Sequence, residues 1–224
     1  MYGDLYGLRR IEMKLTKYEH ACFTLEKEGK LLVVDPGKMT DDLGSPENVI
    51  GIIVTHEHSD HFDPATLSAL VAHNPDAVIF GPEEVVSQIG NTLPNQAVKP
   101  GEVVNVEPFS LEFFGGEHQK PFTDSPTIAN VAVLVNESVY HASDSFVNPG
   151  KPVDTLLLPI SGSWMSSQMA RDFLFDIKPK LVIPTHDAIL SDKGKKQADK
   201  YWPLHSEIIG ATYKRPVGSI TVNG

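Results

Sequence analysis

The chain has 224 residues, of which 41% are hydrophobic, and its formal net charge is −10. This acidic balance repels a phosphate backbone, so we expect no nucleic-acid partner. The single cysteine, Cys22, excludes an internal disulfide, and no run of about 20 apolar residues predicts a membrane span. These features favour a cytoplasmic protein with a core of ordinary domain size.

The first twelve residues contain Asp4, Arg9 and Arg10 and no apolar stretch that would indicate a secretory signal. A second start-like segment, Met-Lys-Leu-Thr, begins at Met13. We therefore interpret residues 1–12 as an extension or as the start of the first strand, with the place of Ile11 left open. No linker or short repeat divides the rest of the sequence, which predicts a single domain over residues 13–224.

Apolar and β-branched runs predict two successive halves, each built of strands and helices. In the first half we expect strands at 15–18, 22–26, 30–35, 50–55 and 77–80. Helices are predicted at 64–73, with Asp63 as N-cap and Pro64 in the first turn, and from residue 82. In the second half we expect strands at 103–106, 110–114, 129–136, 138–142, 155–158, 181–184 and 218–222. Two further helices are predicted at 165–177 and 192–209.

A dense group of metal-binding residue types follows the fourth predicted strand. Residues 55–61 are Thr-His-Glu-His-Ser-Asp-His, directly after an apolar run that ends at Val54. In an extended backbone His56 and His58 project to the same side, and the following turn lets Asp60 and His61 reach a neighbouring cation. A surface turn that is rich in histidine by accident is the alternative, and the spacing makes it improbable.

Three more residues of these types come at the ends of predicted strands. His118, Asp144 and His186 each follow an apolar run. Taken alone, a histidine after a strand is usually structural. Because the carboxyl ends of strands are where sites assemble in α/β sheets, we expect the three to join the first group.

This order of residues resembles the metallo-β-lactamase superfamily of hydrolases. Local sequences, such as Glu19-His20-Ala21-Cys22-Phe23 and Pro184-Thr185-His186, look most like its branch of ascorbate-phosphate lactonases and related hydrolases. The resemblance implies an α/β fold, a four-layer αββα sandwich with the site along one edge of the sheets. In that pattern one metal is held by His56, His58 and His118, the other by Asp60, His61 and His186, and Asp144 bridges the two. Ser143 departs from the pattern, because relatives usually have glycine before the bridging aspartate.

Two divalent metal ions would lower the pKa of a shared water and hold the resulting hydroxide as the nucleophile. An imidazole-rich set favours Zn²⁺, although Mn²⁺ or Fe²⁺ would accept the same ligands. Asp60 is a candidate catalytic residue that orients this water or carries its proton, and His20 is another, with a structural role for His20 left open. Asp35 is predicted to accept hydrogen bonds beside the ligands.

The predicted function is hydrolysis of a small-molecule ester, lactone or phosphoester. The alternatives are a nuclease or phosphodiesterase of the same superfamily and a non-catalytic metal-binding protein. A homo-oligomer is compatible with the sequence.

Several other residues are predicted to have roles other than metal binding. His141 is predicted to be a buried hydrogen-bonding partner, and neither His73 nor His205 is expected to contact metal. Trp164 is a candidate for the wall of a substrate pocket. Ser163 lacks a nucleophile-elbow sequence and Cys22 lies in an apolar strand, so we expect neither to act as a nucleophile.

Overall fold

Two sheets of seven strands each are stacked between pairs of helices in the computed structural model, which describes residues 12–224. The extension predicted for residues 1–12, with the question about Ile11, lies outside the described residues except at Glu12, where the first strand begins. In this described part, none of the helices has the length and apolar character needed to cross a membrane.

The first half of the chain forms most of one sheet and two helices. Its strands are β1 (Glu12–Lys17), β2 (Phe23–Lys27), β3 (Lys30–Val34), β4 (Val49–Ile53), β5 (Val78–Gly81) and β6 (Asn95–Ala97), adjacent to one another in that order. Helix α1 (Pro64–His73) begins after Asp63, whose side chain accepts a hydrogen bond from the Thr66 amide as the predicted N-cap. Helix α2 (Glu83–Ile89) follows β5. The pairs from β3 to β6 are parallel.

The second half repeats this plan in the other sheet. Its strands are β7 (Val103–Val106), β8 (Phe109–Glu117), β9 (Ala129–Val135), β10 (Val139–His141), β11 (Thr155–Pro159), β12 (Leu181–Thr185) and β13 (Thr212–Tyr213). Helices α3 (Ser167–Ile177) and α4 (Asp192–Ile208) precede and follow β12. The last strand, β14 (Ser219–Asn223), returns to the first sheet and pairs antiparallel with β1.

The alternation of side chains along the strands separates three apolar layers. In β4, Ile53 faces the layer between the two sheets, and Ile52 faces the layer under α1 and α2. In β11, Leu157 faces the same central layer, and Leu156 packs towards α3 and α4. The central strands of each sheet are therefore buried on both faces, which explains their nearly continuous apolar sequences. By contrast, β1, β7 and β14 alternate between exposed and less exposed residues. The predicted four-layer αββα sandwich is confirmed.

The sequence prediction missed two short strands. The apolar pattern predicts no strand at Asn95–Ala97 or Thr212–Tyr213, yet both form parallel edge strands of two or three residues. Neither has an apolar alternation long enough to be seen, because pairing with a neighbouring strand, not local propensity, creates them.

Two backbone hydrogen bonds join the sheets at one edge of the sandwich. The Val131 amide of β9 donates to the Thr55 carbonyl, 2.9 Å away, just after β4. The His186 amide after β12 donates to the His20 carbonyl in the turn between β1 and β2, at 3.0 Å. These two bonds bring together the loops that carry the predicted site residues.

Candidate metal centre

The residues predicted as metal ligands lie in two adjacent groups at this edge. Nitrogen atoms of His56, His58 and His118 lie within 4.8 Å of one another. The second group has ligand atoms within the same 4.8 Å limit and consists of His20, Asp60, His61 and His186. The loop after β4 supplies both groups because it turns sharply: the Phe62 amide donates to the His58 carbonyl at 2.8 Å.

Asp144 lies between the two groups. Its Oδ2 is 3.2 Å from Nε2 of His118 in the first group and 3.0 Å from Nε2 of His186 in the second. Its Oδ1 is 3.3 Å from Nε2 of His61. The carboxylate is 2% exposed, so its charge is held inside the protein by these histidines. One buried carboxylate thus contacts both groups.

A hydrogen bond joins His20 to Asp60, and the contacts of the two ring nitrogens fix the tautomer of His20. Nδ1 of His20 accepts a hydrogen bond from the Ala188 amide at 3.3 Å. The ring proton therefore resides on Nε2, which donates to Oδ2 of Asp60 at 2.9 Å. This bond restrains the carboxylate of Asp60, which is itself 3.4 Å from Nε2 of His186.

Behind the ligands, Asp35 is a fully buried acceptor, as the sequence predicted. Its oxygens accept from the Thr55 amide and hydroxyl, from Nδ1 of His61 at 2.8 Å and from Nε2 of His141 at 2.9 Å. Burial alone would raise the pKa of Asp35, but the charges and hydrogen bonds of His61 and His141 together hold it well below its usual value. The bond to Asp35 leaves Nε2 of His61 free to bind a metal. The structure places His141 as the predicted hydrogen-bonding partner.

The donor atoms fit metal ions because several of them are buried without a hydrogen bond. Among the described residues these atoms include Nε2 of His61, Nε2 of His186 and Oδ1 of Asp144. Burying such polar atoms without a partner is costly, and a cation bound among them would satisfy all three. Imidazole nitrogens together with carboxylates form the kind of donor set that zinc, manganese and iron share.

The pKa shifts of the buried carboxylates and histidines also indicate that the site favours positive charge. Burial would raise the pKa of Asp144, but His61, His186 and the bond from His118 keep the pKa well below its usual value. Burial would lower the pKa of His186, yet the carboxylates of Asp144 and Asp60 raise it to about 9. The pKa of His61 is also raised, against the effect of burial, by Asp144 and Asp35. When no metal is bound, these raised pKa values favour the protonated forms of His61 and His186 beside the carboxylates of Asp144, Asp60 and Asp35.

Site residues adopt left-handed backbone conformations, which side chains other than glycine rarely do. His20, Asp35, Ser143 and His186 have φ values of 55°, 48°, 55° and 57°. Each lies in or next to a turn that follows a strand, and the conformation costs free energy that the surrounding contacts must offset. At Ser143 this left-handed conformation is one that glycine, the residue implied here by the resemblance, adopts freely. The Ser143 hydroxyl bonds to Oγ1 of Thr55 at 2.6 Å.

Gly37 allows the loop after β3 to approach the ligand loop. A Cβ atom at this position would lie 2.1 Å from the carbonyl carbon of Asp60 and 2.3 Å from the amide of His61. The neighbouring Lys38 amide donates to the Ser59 carbonyl at 2.8 Å. The backbone that carries Asp60 and His61 therefore rests directly on Gly37.

A buried ion network behind the second group was missed by the sequence analysis. The Lys17 ammonium donates to the His20 carbonyl at 2.7 Å and lies 3.7 Å from Oδ1 of Asp187. Arg215 pairs with the other oxygen of Asp187 and with Asp199. Burial lowers the pKa of Lys17, and the charge of Asp187 opposes this shift. The position of Asp187 next to His186 was the one available signal.

The residues that are not predicted as metal ligands lie as expected. His73 is exposed and bonds to the Ala69 carbonyl, and His205 lies in α4 beside Arg171. Burial raises the pKa of the Cys22 thiol to about 12, so this residue is not a nucleophile. Ser163 and Trp164 line a cleft over the ligand groups.

Comparisons with known proteins agree with this fold. The family described as "Beta-lactamase superfamily domain" matches residues 14–186. Protein Rv0786c of Mycobacterium tuberculosis is 30% identical over 184 residues, covering 80% of this chain and 86% of that protein. A UPF0173 metal-dependent hydrolase of Carboxydothermus hydrogenoformans is 27% identical over 212 residues, covering 83% and 91%. The solved structure of Igni18, a metallo hydrolase from Ignicoccus hospitalis, has a TM-score of 0.71 at 20% identity, covering 94% and 98%.

Gly37→Ala is expected to destabilise the protein by about 3 kcal/mol or more, because the new methyl group overlaps the Asp60 backbone. Zinc affinity should fall as well, since Asp60 and His61 must shift. Gly116→Ala is the matched control, because a Cβ there is 3.9 Å from its nearest neighbour. Urea denaturation and zinc titration of both variants measure the effects. Equal stability of the two variants would contradict the close approach.

Ser143→Ala is expected to destabilise the metal-free protein by about 1–2 kcal/mol, because it removes the bond to Thr55. Ser143→Gly should cost less, since glycine adopts the left-handed conformation freely. Ser145 is equally buried, bonds to the Ala142 carbonyl at 2.8 Å and has no left-handed φ, so Ser145→Gly should cost more than Ser145→Ala. Urea denaturation measures both orders. The same order at both positions would show that strain at Ser143 is unimportant.

Zinc binding is expected to release about one to two protons per chain at pH 7, because metal must displace the protons of His61 and His186. His186 keeps its proton up to a pKa of about 9, so zinc affinity should rise as the pH increases from 7 to 9. Calorimetry in buffers of different ionisation enthalpy measures the number of protons. In His186→Ala the release should be smaller. Binding that releases no proton at pH 7 would disprove the assigned charges.

Proposed function

Since this chain belongs to the metallo-β-lactamase superfamily and is a metal-dependent hydrolase, we propose that it cleaves a small-molecule ester, lactone or phosphoester with two divalent metal ions. The observation that carries this proposal is the position of the Asp144 carboxylate, which contacts a histidine of the first group and two of the second. A carboxylate with donors on both sides suits a pair of cations better than a single one.

We assign one metal to His56, His58 and His118 and the other to Asp60, His61 and His186, with Asp144 shared. Zinc is our choice because imidazoles dominate the set, while manganese or iron would accept the same donors. When bound, the two cations supply a water of lowered pKa and polarise the scissile carbonyl or phosphoryl group. The protein residues would hold the metals, orient the water and exchange protons with it.

Asp60 is the residue best placed to accept a proton. Its contacts with His20, His61 and His186 all involve Oδ2, so Oδ1 remains available to a water or to the departing group. Asp60 is also partly exposed, with 21% of its side chain accessible, whereas Asp144 lines the same cleft but is buried. His20 acts through Asp60, because its Nε2 proton fixes the orientation of the carboxylate. We therefore assign Asp60 the catalytic role and His20 the positioning of Asp60.

The cleft over the two groups has a volume of about 470 Å³, which suits a small-molecule substrate. We propose that the protein acts in the cytoplasm as a single domain over residues 13–224. Within the superfamily we place it beside the lactonase-like branch, on the sequence around His20 and His186. Two alternative functions must be distinguished from this one. The first is a nuclease or phosphodiesterase, and the second is a non-catalytic metal-binding protein.

The metal part of the proposal is tested by elemental analysis of protein supplied with zinc or manganese. We expect about two bound ions per chain. Asp60→Asn should bind less metal and lose at least about 100-fold in turnover, as general acid–base groups contribute this much. Asp76→Asn, at an exposed aspartate away from the site, is the matched control and should behave as the wild type. Fewer than one ion per chain would defeat the proposal, and full turnover by Asp60→Asn would remove its catalytic role.

The reaction class is tested by offering the metal-loaded protein lactones, carboxylic esters, thioesters and phosphodiesters. We expect cleavage of at least one small-molecule class that is lost on chelation and restored by zinc. Salt-sensitive binding and cleavage of RNA would instead favour the nuclease. Full metal occupancy without turnover of any class would favour a non-catalytic protein.

A further inference from the structure

The cleft above the metal centre is lined by both polar and apolar residues. The polar residues include His58, Asp60 and His186. The apolar part of the lining consists of Pro121, Pro126, Ile128, Trp164 and Ile189. A substrate whose reacting group lies over the metal centre therefore places its remaining atoms against an apolar surface.

Trp164 is the fixed part of this surface. Its ring contacts His118 and His186 edge-on, with centroid distances of 5.5 and 5.4 Å, so it spans both ligand groups. Phe146 supports it from another side at 5.7 Å. A Cβ on Gly162 would lie 2.8 Å from Nε1 of Trp164, so the adjacent backbone closes directly on the indole. The ring is 7% exposed and cannot move without breaking these contacts.

The side chains that line the cleft present little positive charge to an anionic substrate. Among the described residues that line it there is no lysine or arginine, and Asp60 and Asp144 contribute two negative charges. Lys120 follows the lining residue Gln119, but it is exposed and does not line the cleft. Sites that select phosphate or carboxylate groups usually present arginine or lysine side chains to them. Here any attraction for an anion would come from the metals alone.

We infer that the cleft selects an uncharged carboxylic ester or lactone whose apolar acyl group packs on Trp164 and Ile128, and that it disfavours phosphoesters and acyl groups that carry a carboxylate. This inference rests on the proposed function. In the reaction, the oxygen of a water bonds to the acyl carbon and gives up one proton, the acyl carbon–oxygen bond breaks, and the departing alkoxide takes up that proton. The charge of the substrate outside the reacting group decides its fit.

Activity towards a matched pair of substrates tests the selection. The zinc-loaded protein is given 4-nitrophenyl hexanoate and the 4-nitrophenyl monoester of adipic acid, which differ mainly by a terminal carboxylate that is too distant to attack its own ester readily. We expect kcat/KM for the hexanoate to be higher by about tenfold or more. Ile189→Lys places a cation at the rim of the cleft and should reduce this ratio several-fold. Ile208→Lys is the matched control, since Ile189 and Ile208 are 51% and 66% exposed and only Ile189 lines the cleft; it should leave the ratio unchanged.

A binding measurement separates this inference from the proposed function. The chain has two tryptophans, so Trp202→Phe leaves Trp164 as the fluorescent reporter. Butyranilide, an uncharged amide, should quench its emission at a lower concentration than succinanilic acid, the analogue with a carboxylate. If neither ester is cleaved but the amide binds better, the hydrolase proposal fails and the selection stands. Equal or tighter binding of the charged analogue, or a higher kcat/KM for the adipate ester, would overturn the selection.

Discussion

The structure depends on the burial of one negative charge at the edge where the two sheets meet. The carboxylate of Asp144 is almost completely removed from water, which is unfavourable unless positive charge or hydrogen-bond donors surround it. The donors come from both halves of the chain: His61 follows a strand of the first sheet, and His118 and His186 follow strands of the second. The two halves must therefore pack in one particular arrangement for the charge to be compensated.

The surrounding polar groups form two supports for this arrangement. Asp35 and Thr55 hold the rings of the first half from behind, at the floor of the site. On the other side Lys17 and Asp187 hold the turns that carry His20 and His186, and they continue to Arg215 in the C-terminal segment. Because the side chains of Asp35, Lys17 and Asp187 are buried, removing the partner of any of them would leave an uncompensated charge. The ligands are thus positioned by interactions that reach well beyond the site.

The sequence predicted which histidine and aspartate residues come together because chemistry and spacing agree locally. The string from His56 to His61 is informative alone, whereas His118 and Asp144 became informative once strands were predicted before them. The hydroxyl of Ser143 and the ammonium of Lys17 could not be assigned in this way. Each is a single polar residue whose role depends on which distant residue packs against it. For the same reason the edge strands β6 and β13, which pairing alone creates, were not predicted.

The apolar layer between the sheets has a mechanical consequence. Contacts between side chains such as Ile53 and Leu157 are non-directional, so they resist separation of the sheets better than sliding. The hydrogen bonds from Val131 to Thr55 and from His186 to His20 are directional and lie at the edge that carries the ligands. These two hydrogen bonds fix the relative position of the two halves next to the predicted ligand atoms. Slow motions of the sandwich should then be smallest beside the ligands and grow with distance from that edge.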